Sequence, residues 1–131
     1  MVIKDTNCRL VPYFQVREGY LNRFKSLAKE LVAHSSEDPK CLCCGFAFDG
    51  SAARCQEEFM DAEGVLTHLG NVGPLMADIL EIAEVYRFEV HAPEPELSKL
   101  KDAMADLQAD FYEVDASIRK TASVVPRIAV V

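Results

Sequence analysis

The sequence predicts an α+β fold with the element order β-α-β-β-α-β, followed by one more helix and one more strand. Three observations lead to this prediction: residues 41–59 alternate as two strands around an Asp-Gly turn, and residues 20–34 and 61–83 each space their apolar side chains as a helix does. This order is the split βαβ arrangement of a ferredoxin-like sheet. The 131 residues are predicted to form a single domain, with a core unit at about 8–91 and a C-terminal extension at 92–131.

Composition limits the classes of partner. Hydrophobic residues make up 50% of the chain and charged residues 27%, as in ordinary globular proteins. The net charge of −7, with 14 scattered basic residues, argues against nucleic acid or an anionic membrane as a partner. Neither a signal peptide nor an apolar run of about 18 residues is present, so no membrane span is expected. Five cysteines without a secretion signal predict free thiols in the cytoplasm.

The first strand and the first helix precede the hairpin. Residues 8–16 alternate as a strand, but Pro12 cannot donate to a ladder, which predicts an edge, a bulge or an unpaired N–H side there. Residues 20–34 form the first predicted helix, and Pro39 prevents its continuation. The apolar stripe of this helix consists of Tyr20, Phe24, Leu27, Ala28 and Leu31.

Residues 41–59 read as a β-hairpin. With Asp49 and Gly50 as the two turn residues of a type I′ turn, Cys44 would lie opposite Cys55. One face of the hairpin is then apolar apart from a single carboxylate. The opposite face has small side chains on the first strand and polar side chains on the second, so both faces are expected to be partly covered. The apolar face comprises Leu42, Cys44, Phe46, Phe48, Ala53, Cys55, Glu57 and Phe59.

Asp61 is a plausible N-cap for the second helical region. Its apolar stripe is interrupted at 70–74, and Pro74 suits the first turn of a new helical segment. The stripe before the break consists of Ala62, Val65, Leu66 and Leu69. The later elements are a strand at 84–91, a helix at 96–107 and a strand at 110–120, with 121–131 as a further short strand or a partner-binding arm.

The run CLCCGFAFDG followed by RCQEEFMDAEGVLTHLGNVGP resembles the antibiotic-biosynthesis-monooxygenase-like branch of the dimeric α+β barrel proteins. The matching residues are Glu57, Phe59, Asp61, Ala62 and His68, and the resemblance extends over roughly residues 8–91. It implies a ferredoxin-like protomer that forms a homodimer through its sheet, and a pocket between sheet and helices. Characterised relatives oxidise quinol-like or aromatic substrates without metal or flavin, whereas others degrade haem or isomerise small molecules.

His68 and Glu57 are the candidate catalytic residues. His68 falls at the margin of the predicted stripe, and because histidine titrates near neutral pH it suits proton transfer at a pocket edge. The alternative is a helix-margin histidine bonded to backbone or water. Glu57 is the one charge on the apolar hairpin face, and since an unpaired buried carboxylate is costly, it needs a partner. Glu57 is then either a base or a ligand anchor beside His68, or it lies at the end of the strand and bonds the N-terminus of the second helix.

Four further residues are candidates for substrate binding. Asn71 lies in the helix break and could bond a ligand, although the break is equally explained as a kink. Phe14, Phe46 and Phe59 are assigned to pocket lining, with core packing as the alternative.

The cysteines do not predict a metal site. The spacing of Cys41, Cys43 and Cys44 suits zinc poorly, because Cys44 should point away from the other two on a strand. Cys44 and Cys55 would permit a thiol pair, and the alternative is that they are small core hydrophobes. Phosphate-binding glycine loops and nucleophile elbows are also absent from the sequence, so no cofactor and no metal are expected.

The sequence therefore predicts a small cytoplasmic, cofactor-independent, monooxygenase-like enzyme. Its substrate would be a small quinol or aromatic molecule bound between sheet and helices. The alternative is a non-catalytic module of the same fold that binds a small hydrophobic ligand or a partner. The sequence does not identify the substrate.

Overall fold

The computed structural model describes residues 5–120, and within them it has five strands and four helices. The strands are β1 (Cys8–Val16), β2 (Cys41–Asp49), β3 (Ala52–Phe59), β4 (Ala83–Ala92) and β5 (Asp110–Glu113). The helices are α1 (Leu21–Ser36), α2 (Ala62–Asn71), α3 (Gly73–Ile82) and α4 (Glu96–Ala103). The sheet order is β2-β3-β1-β4-β5, with β5 parallel to β4 and all other neighbours antiparallel. The predicted ferredoxin-like α+β fold is confirmed.

The core lies between the sheet and the helices as two clusters. The first contains Phe14 of β1 and Phe24 of α1, and the second contains Phe59 of β3 and Val65 of α2. These side chains are almost completely buried, and each aromatic or branched side chain so buried stabilises the fold by roughly 1.5–3 kcal/mol. The two clusters hold α1, α2 and the strands in fixed relative positions.

Two carboxylates cap the N-terminus of α2. Asp61 is the N-cap, as predicted, and its Oδ1 accepts a hydrogen bond from the backbone N–H of Gly64 at 2.8 Å. Glu96, a buried residue of α4, accepts one from the N–H of Ala62 at 3.1 Å. These bonds satisfy two of the free N–H groups of the first helical turn and fix its position against α4.

The buried face of α2 differs from the predicted stripe. The buried residues include Val65 and His68, whereas Leu66 is exposed and Leu69 is half-buried. His68 is only 2% exposed, so the expectation that it lies at the stripe margin is wrong. The face turns toward His68 because this side chain has a partner on the sheet, described below, which makes burial of a polar ring favourable.

The hairpin turn is formed by Gly50 and Ser51, which corrects the prediction of Asp49 and Gly50. Gly50 has φ +59° and Ser51 does not have positive φ, which fits the type II′ preference for Gly at the first turn position. The strands therefore pair two positions away from the predicted register. Because this shift is even, the side chains from Cys43 to Phe59 keep their predicted faces. The pairs that result are Phe46 with Cys55 and Cys44 with Glu57.

A bulge at the start of β2 changes the orientation of one cysteine. Cys41 pairs with Phe59 while Cys43 pairs with Glu58, so one extra residue, Leu42, lies between them on β2. Cys41 therefore shares the inner face with Cys44. The expectation that Cys44 points away from Cys41 is wrong for this reason.

Other elements differ only in detail. β1 is central in the sheet, so it is not an edge strand. Its register with β4 shifts between Tyr13 and Phe14, and this bulge is the outcome at Pro12 that occurs among the three predicted. Tyr20 is exposed at the start of α1. α4 ends at Ala103, and β5 is shorter than predicted, while the predicted segment 121–131 lies outside the described residues.

Candidate active site

Three buried ionisable side chains meet beneath the C-terminal half of α2. His68 Nε2 lies 2.6 Å from Oε2 of Glu57, and His68 Nδ1 lies 3.9 Å from Oδ2 of Asp38. All three side chains are 7% exposed or less. The histidine is thus flanked by a carboxylate on each side of its ring, with the closer contact to Glu57.

Each member of this cluster is positioned by its own element. Strand alternation in β3 directs Glu57 to the inner face, between Cys55 and Phe59. The Phe59 ring supports the imidazole at a centroid distance of 4.8 Å. Asp38 lies in the loop after α1, where its Oδ1 accepts a hydrogen bond from the backbone N–H of Lys40 at 3.0 Å. That bond fixes the carboxyl group, which leaves Oδ2 to face His68.

The cluster is incompletely hydrogen-bonded. Within residues 5–120, neither Oε2 of Glu57 nor Oδ2 of Asp38 has a well-formed hydrogen bond, although both atoms are buried. The contact of Glu57 with His68 is short, but the ring N–H is poorly aligned with the oxygen, so it is an ion-pair contact. Buried polar groups are nearly always satisfied, and exceptions often mark a site at which a ligand or a proton completes the bonding.

A surface cleft of about 540 Å³ opens beside the cluster. It lies between the end of α1 with the loop that follows and the end of α2. His68 and Asp38 are part of its wall, together with Lys40, so the buried cluster is accessible from this cleft. The other lining residues are His34, Glu37, Pro39, Thr67, Asn71 and Val72. Several of these side chains are charged or carry hydrogen-bonding groups, which suits a small ligand with polar groups of its own.

The structure brings some of the predicted site residues together and not others. Glu57 and His68 are in contact, and Asn71 lies at the cleft on an exposed position. Phe14 and Phe46 belong to an aromatic group around Phe24 in the core and do not line the cleft. Phe59 lies behind His68 and is fully buried.

Sequence reasoning did not identify Asp38 and Lys40. Both lie in a loop that reads as a helix terminator, SSEDPK, and only the fold places this loop beside α2. Lys40 Nζ lies 2.9 Å from Oδ2 of Asp61 and 3.6 Å from Glu63. The hydrogen bond to Asp61 raises the pKa of Lys40, and the same bond lowers the pKa of Asp61. A useful sequence signal would have been the two opposite charges, Asp38 and Lys40, directly before the strand that is predicted to begin at residue 41.

Two cysteine thiols adjoin Glu57 on the inner hairpin face. Ligand atoms of Cys44, Cys55 and Glu57 all lie within 4.8 Å of one another. The neighbouring Cys44 thiol, and then burial, raise the pKa of Cys55 well above its ordinary value, and burial raises the pKa of Cys41 to about 12. All five cysteines are free thiols, as predicted.

The fold and the cluster together define a ferredoxin-like α+β protein with a buried carboxylate–histidine–carboxylate site beside a surface cleft. A solved structure with this fold is that of MupZ from Pseudomonas fluorescens. It is 33% identical, and the alignment covers 92% of this chain and 99% of that chain, with a TM-score of 0.85. Such identity over nearly the whole of both chains shows that the two proteins share a family.

Two further solved structures show the same fold at lower identity. SnoaB, a cofactor-independent oxygenase from Streptomyces nogalater, is 12% identical over 65% of this chain and 90% of that chain, with a TM-score of 0.59. A candidate antibiotic biosynthesis monooxygenase from Chloroflexus aurantiacus is 17% identical over 67% of this chain and 93% of that chain, with a TM-score of 0.58. The chain therefore has the fold of the antibiotic-biosynthesis-monooxygenase-like proteins, in agreement with the resemblance found in its sequence.

No protein-family model and no curated protein matches the chain. Across residues 5–120, no helix combines the length and the apolarity that crossing a bilayer requires.

Proposed function

We propose that this protein is a cofactor-independent enzyme that performs general acid–base catalysis on a small molecule bound in the cleft beside His68. The observation on which the proposal depends is the 2.6 Å contact between His68 Nε2 and Glu57 Oε2, in a cluster that is buried and yet borders the cleft. A buried carboxylate beside a histidine orients the ring and stabilises the imidazolium that forms when the ring accepts a proton.

The roles of the residues follow from their positions. His68 forms part of the cleft wall, so it exchanges the proton with the ligand. Glu57 holds the ring from the sheet side, and Asp38 stabilises positive charge at the other ring nitrogen. Asn71 and Lys40 at the cleft supply hydrogen bonds or positive charge to a developing oxyanion.

One reaction that fits these roles is the oxygenation of a small quinol or aromatic molecule. The base removes the phenolic proton, and the electron-rich anion itself reduces dioxygen, so the chain needs no metal or flavin for this step. The shared fold supports this reaction, since SnoaB is a cofactor-independent oxygenase.

The cleft also favours a second candidate, a proton-transfer reaction without oxygen, such as an isomerisation or an internal addition. The supporting observation is the group of ionisable side chains in the wall, His34, Glu37, Asp38 and Lys40, while the predicted aromatic lining lies in the core. Such a wall binds polar groups better than a flat aromatic ring.

The test compares two neighbouring carboxylates of β3. Glu57→Gln removes the buried charge next to His68, and Glu58→Gln removes a charge that faces the other side of the sheet and pairs with Arg9. Oxygen uptake with a panel of hydroquinones measures oxygenation, and anaerobic incorporation of solvent deuterium into enolisable ketones measures proton transfer. We expect Glu57→Gln to lower the rate of whichever reaction the wild type catalyses by about 10²-fold or more, and Glu58→Gln to leave that rate unchanged.

The two assays also separate the candidates. Activity that requires dioxygen supports oxygenation, and activity that persists without it supports proton transfer. If the wild type is inactive in both assays while ligands still bind to the cleft, the enzyme proposal is wrong and the non-catalytic module is favoured. If the wild type is active and Glu57→Gln matches it, the assigned role of the Glu57–His68 pair is wrong.

We further propose that the protein is a homodimer in the cytoplasm. The outer sheet face, which is the sheet surface opposite the helices and includes Tyr13, Arg54, Tyr86 and Tyr112, has no covering element among the described residues. Tyr86 is 60% exposed and Tyr112 is 42% exposed, which supports burial against a second copy. Free thiols support a reducing compartment.

A further inference from the structure

The inner face of the hairpin holds a second chemical group that acid–base catalysis does not use. The register places Cys44 opposite Glu57, and Cys55 lies two positions before Glu57 on β3, so two thiols and a carboxylate face the same point. Their ligand atoms are all within 4.8 Å of one another, and Cys55 and Glu57 are buried. Cys44 is only half-buried, so the group is reachable from solvent.

We propose that Cys44, Cys55 and Glu57 bind a thiophilic divalent cation, of which Zn²⁺ is the natural candidate. With zinc–sulfur bonds of about 2.3 Å, tetrahedral geometry separates two sulfur ligands by roughly 3.8 Å. The observed separations exceed this by no more than about an ångström, so small side-chain rotations would close the site. Hard cations such as Mg²⁺ and Ca²⁺ are disfavoured, because they require mostly oxygen ligands.

A second observation points to a ligand at the same place. Oε2 of Glu57 is buried and has no well-formed hydrogen bond within residues 5–120, and a cation would supply the missing partner. His68 Nε2 lies 2.6 Å from this oxygen and is available as the fourth ligand, with water as the alternative. Two sulfurs, a carboxylate oxygen and an imidazole nitrogen are all ordinary zinc ligands.

Metal binding has a consequence for catalysis, which rests on the proposed function. A cation that takes Glu57, and His68 with it, removes the acid–base pair from the cleft. Micromolar zinc should therefore inhibit the enzyme reversibly, and a chelator should restore its activity. The metal site itself does not depend on any activity, so the two ideas can fail separately.

The test measures metal binding directly on the full chain, reduced with a phosphine rather than a thiol. Co²⁺ serves as the probe, since thiolate ligation gives a charge-transfer absorption band and tetrahedral geometry gives intense d–d bands, and Zn²⁺ should displace it. We expect one metal ion per chain. Cys44→Ser and Cys55→Ser should each weaken the affinity at least tenfold and diminish the charge-transfer band. Glu57→Gln should weaken the affinity and keep that band.

Cys43→Ser is the matched control, because Cys43 is exposed on the opposite face of the same strand. Since Cys55 is buried and its replacement could impair folding, the half-buried Cys44 provides the decisive variant. The proposal is overturned if wild-type protein shows no charge-transfer band at micromolar Co²⁺, or if Cys44→Ser binds as tightly as Cys43→Ser. Loss of catalysis in Glu57→Gln with normal metal binding would leave the proposed function standing and overturn the three-residue site, because Glu57 would then not be a ligand.

Discussion

Lys40 Nζ lies 2.9 Å from Oδ2 of Asp61, and the same Asp61 carboxylate caps the first turn of α2. This ion pair therefore joins the loop that carries Asp38 to the helix that carries His68. The side chains of Asp38 and His68 lie close together because the ion pair holds this loop against the N-terminal end of α2.

The first prediction concerns pH. The Lys40 ammonium lowers the pKa of Asp61 in the folded state, so this pair stabilises the fold above the unfolded pKa of about 3.9, and the contribution is lost as pH falls through the lower folded value. Asp61→Asn keeps a capping side chain and removes the charge. Urea unfolding at a series of pH values should show the wild type more stable than Asp61→Asn near neutrality. The difference should vanish at strongly acidic pH, and a difference independent of pH would contradict the prediction.

The second prediction concerns two glycines of α2. A Cβ added at Gly64 would lie 2.9 Å from Cβ of Lys40, whereas a Cβ added at Gly70 meets nothing within 4 Å. Replacement of glycine by alanine in a helix normally stabilises it by roughly 0.5–1 kcal/mol. Gly70→Ala should therefore raise the free energy of unfolding, and Gly64→Ala should lower it because the loop bearing Lys40 must move. Chemical denaturation of both variants measures this, and equal gains in stability would refute the close approach.

The third prediction concerns the buried pair. His68→Ala leaves the Glu57 carboxylate buried without its partner, so the free energy of unfolding should fall by roughly 3 kcal/mol. Adding Glu57→Gln to this variant should recover part of the loss, because the unpaired charge is then gone. Thermal and urea unfolding of the two single variants and the double variant give the coupling energy. Simple additivity of the two losses would show that the 2.6 Å contact carries no energetic interaction.

The fourth prediction concerns assembly. If the outer sheet face forms the dimer interface, Tyr86→Asp should convert the dimer to a monomer, since it places a charge in a desolvated contact. Leu80→Asp is the control, because Leu80 is similarly exposed but belongs to α3 on the helical side. Light scattering coupled to size exclusion reads out the mass. A wild-type protein that is monomeric at micromolar concentration, or equal behaviour of the two variants, counts against the interface.

The sequence by itself determined the order and type of the elements from 8 to 103. Local signals sufficed there: alternation defined β1 and the hairpin, helical spacing defined α1, and an N-cap and a Pro-containing break fixed α2 and α3. The unusual charge on the apolar hairpin face also identified Glu57, and its predicted neighbour His68 is in contact with it. These inferences succeed because side-chain period and capping are properties of a few consecutive residues.

Tertiary structure alone decided the rest of the site. Asp38 and Lys40 belong to a loop whose sequence indicates only the end of a helix, and they face α2 because β2 and β3 bring that loop beside it. The bulge at Leu42 places Cys41 on the face of Glu57, since one extra residue inverts the orientation of the strand before it, and the Gly50-Ser51 turn places Cys44 opposite Glu57. Contacts between residues distant in sequence depend on register and packing, and a local pattern contains no information about either.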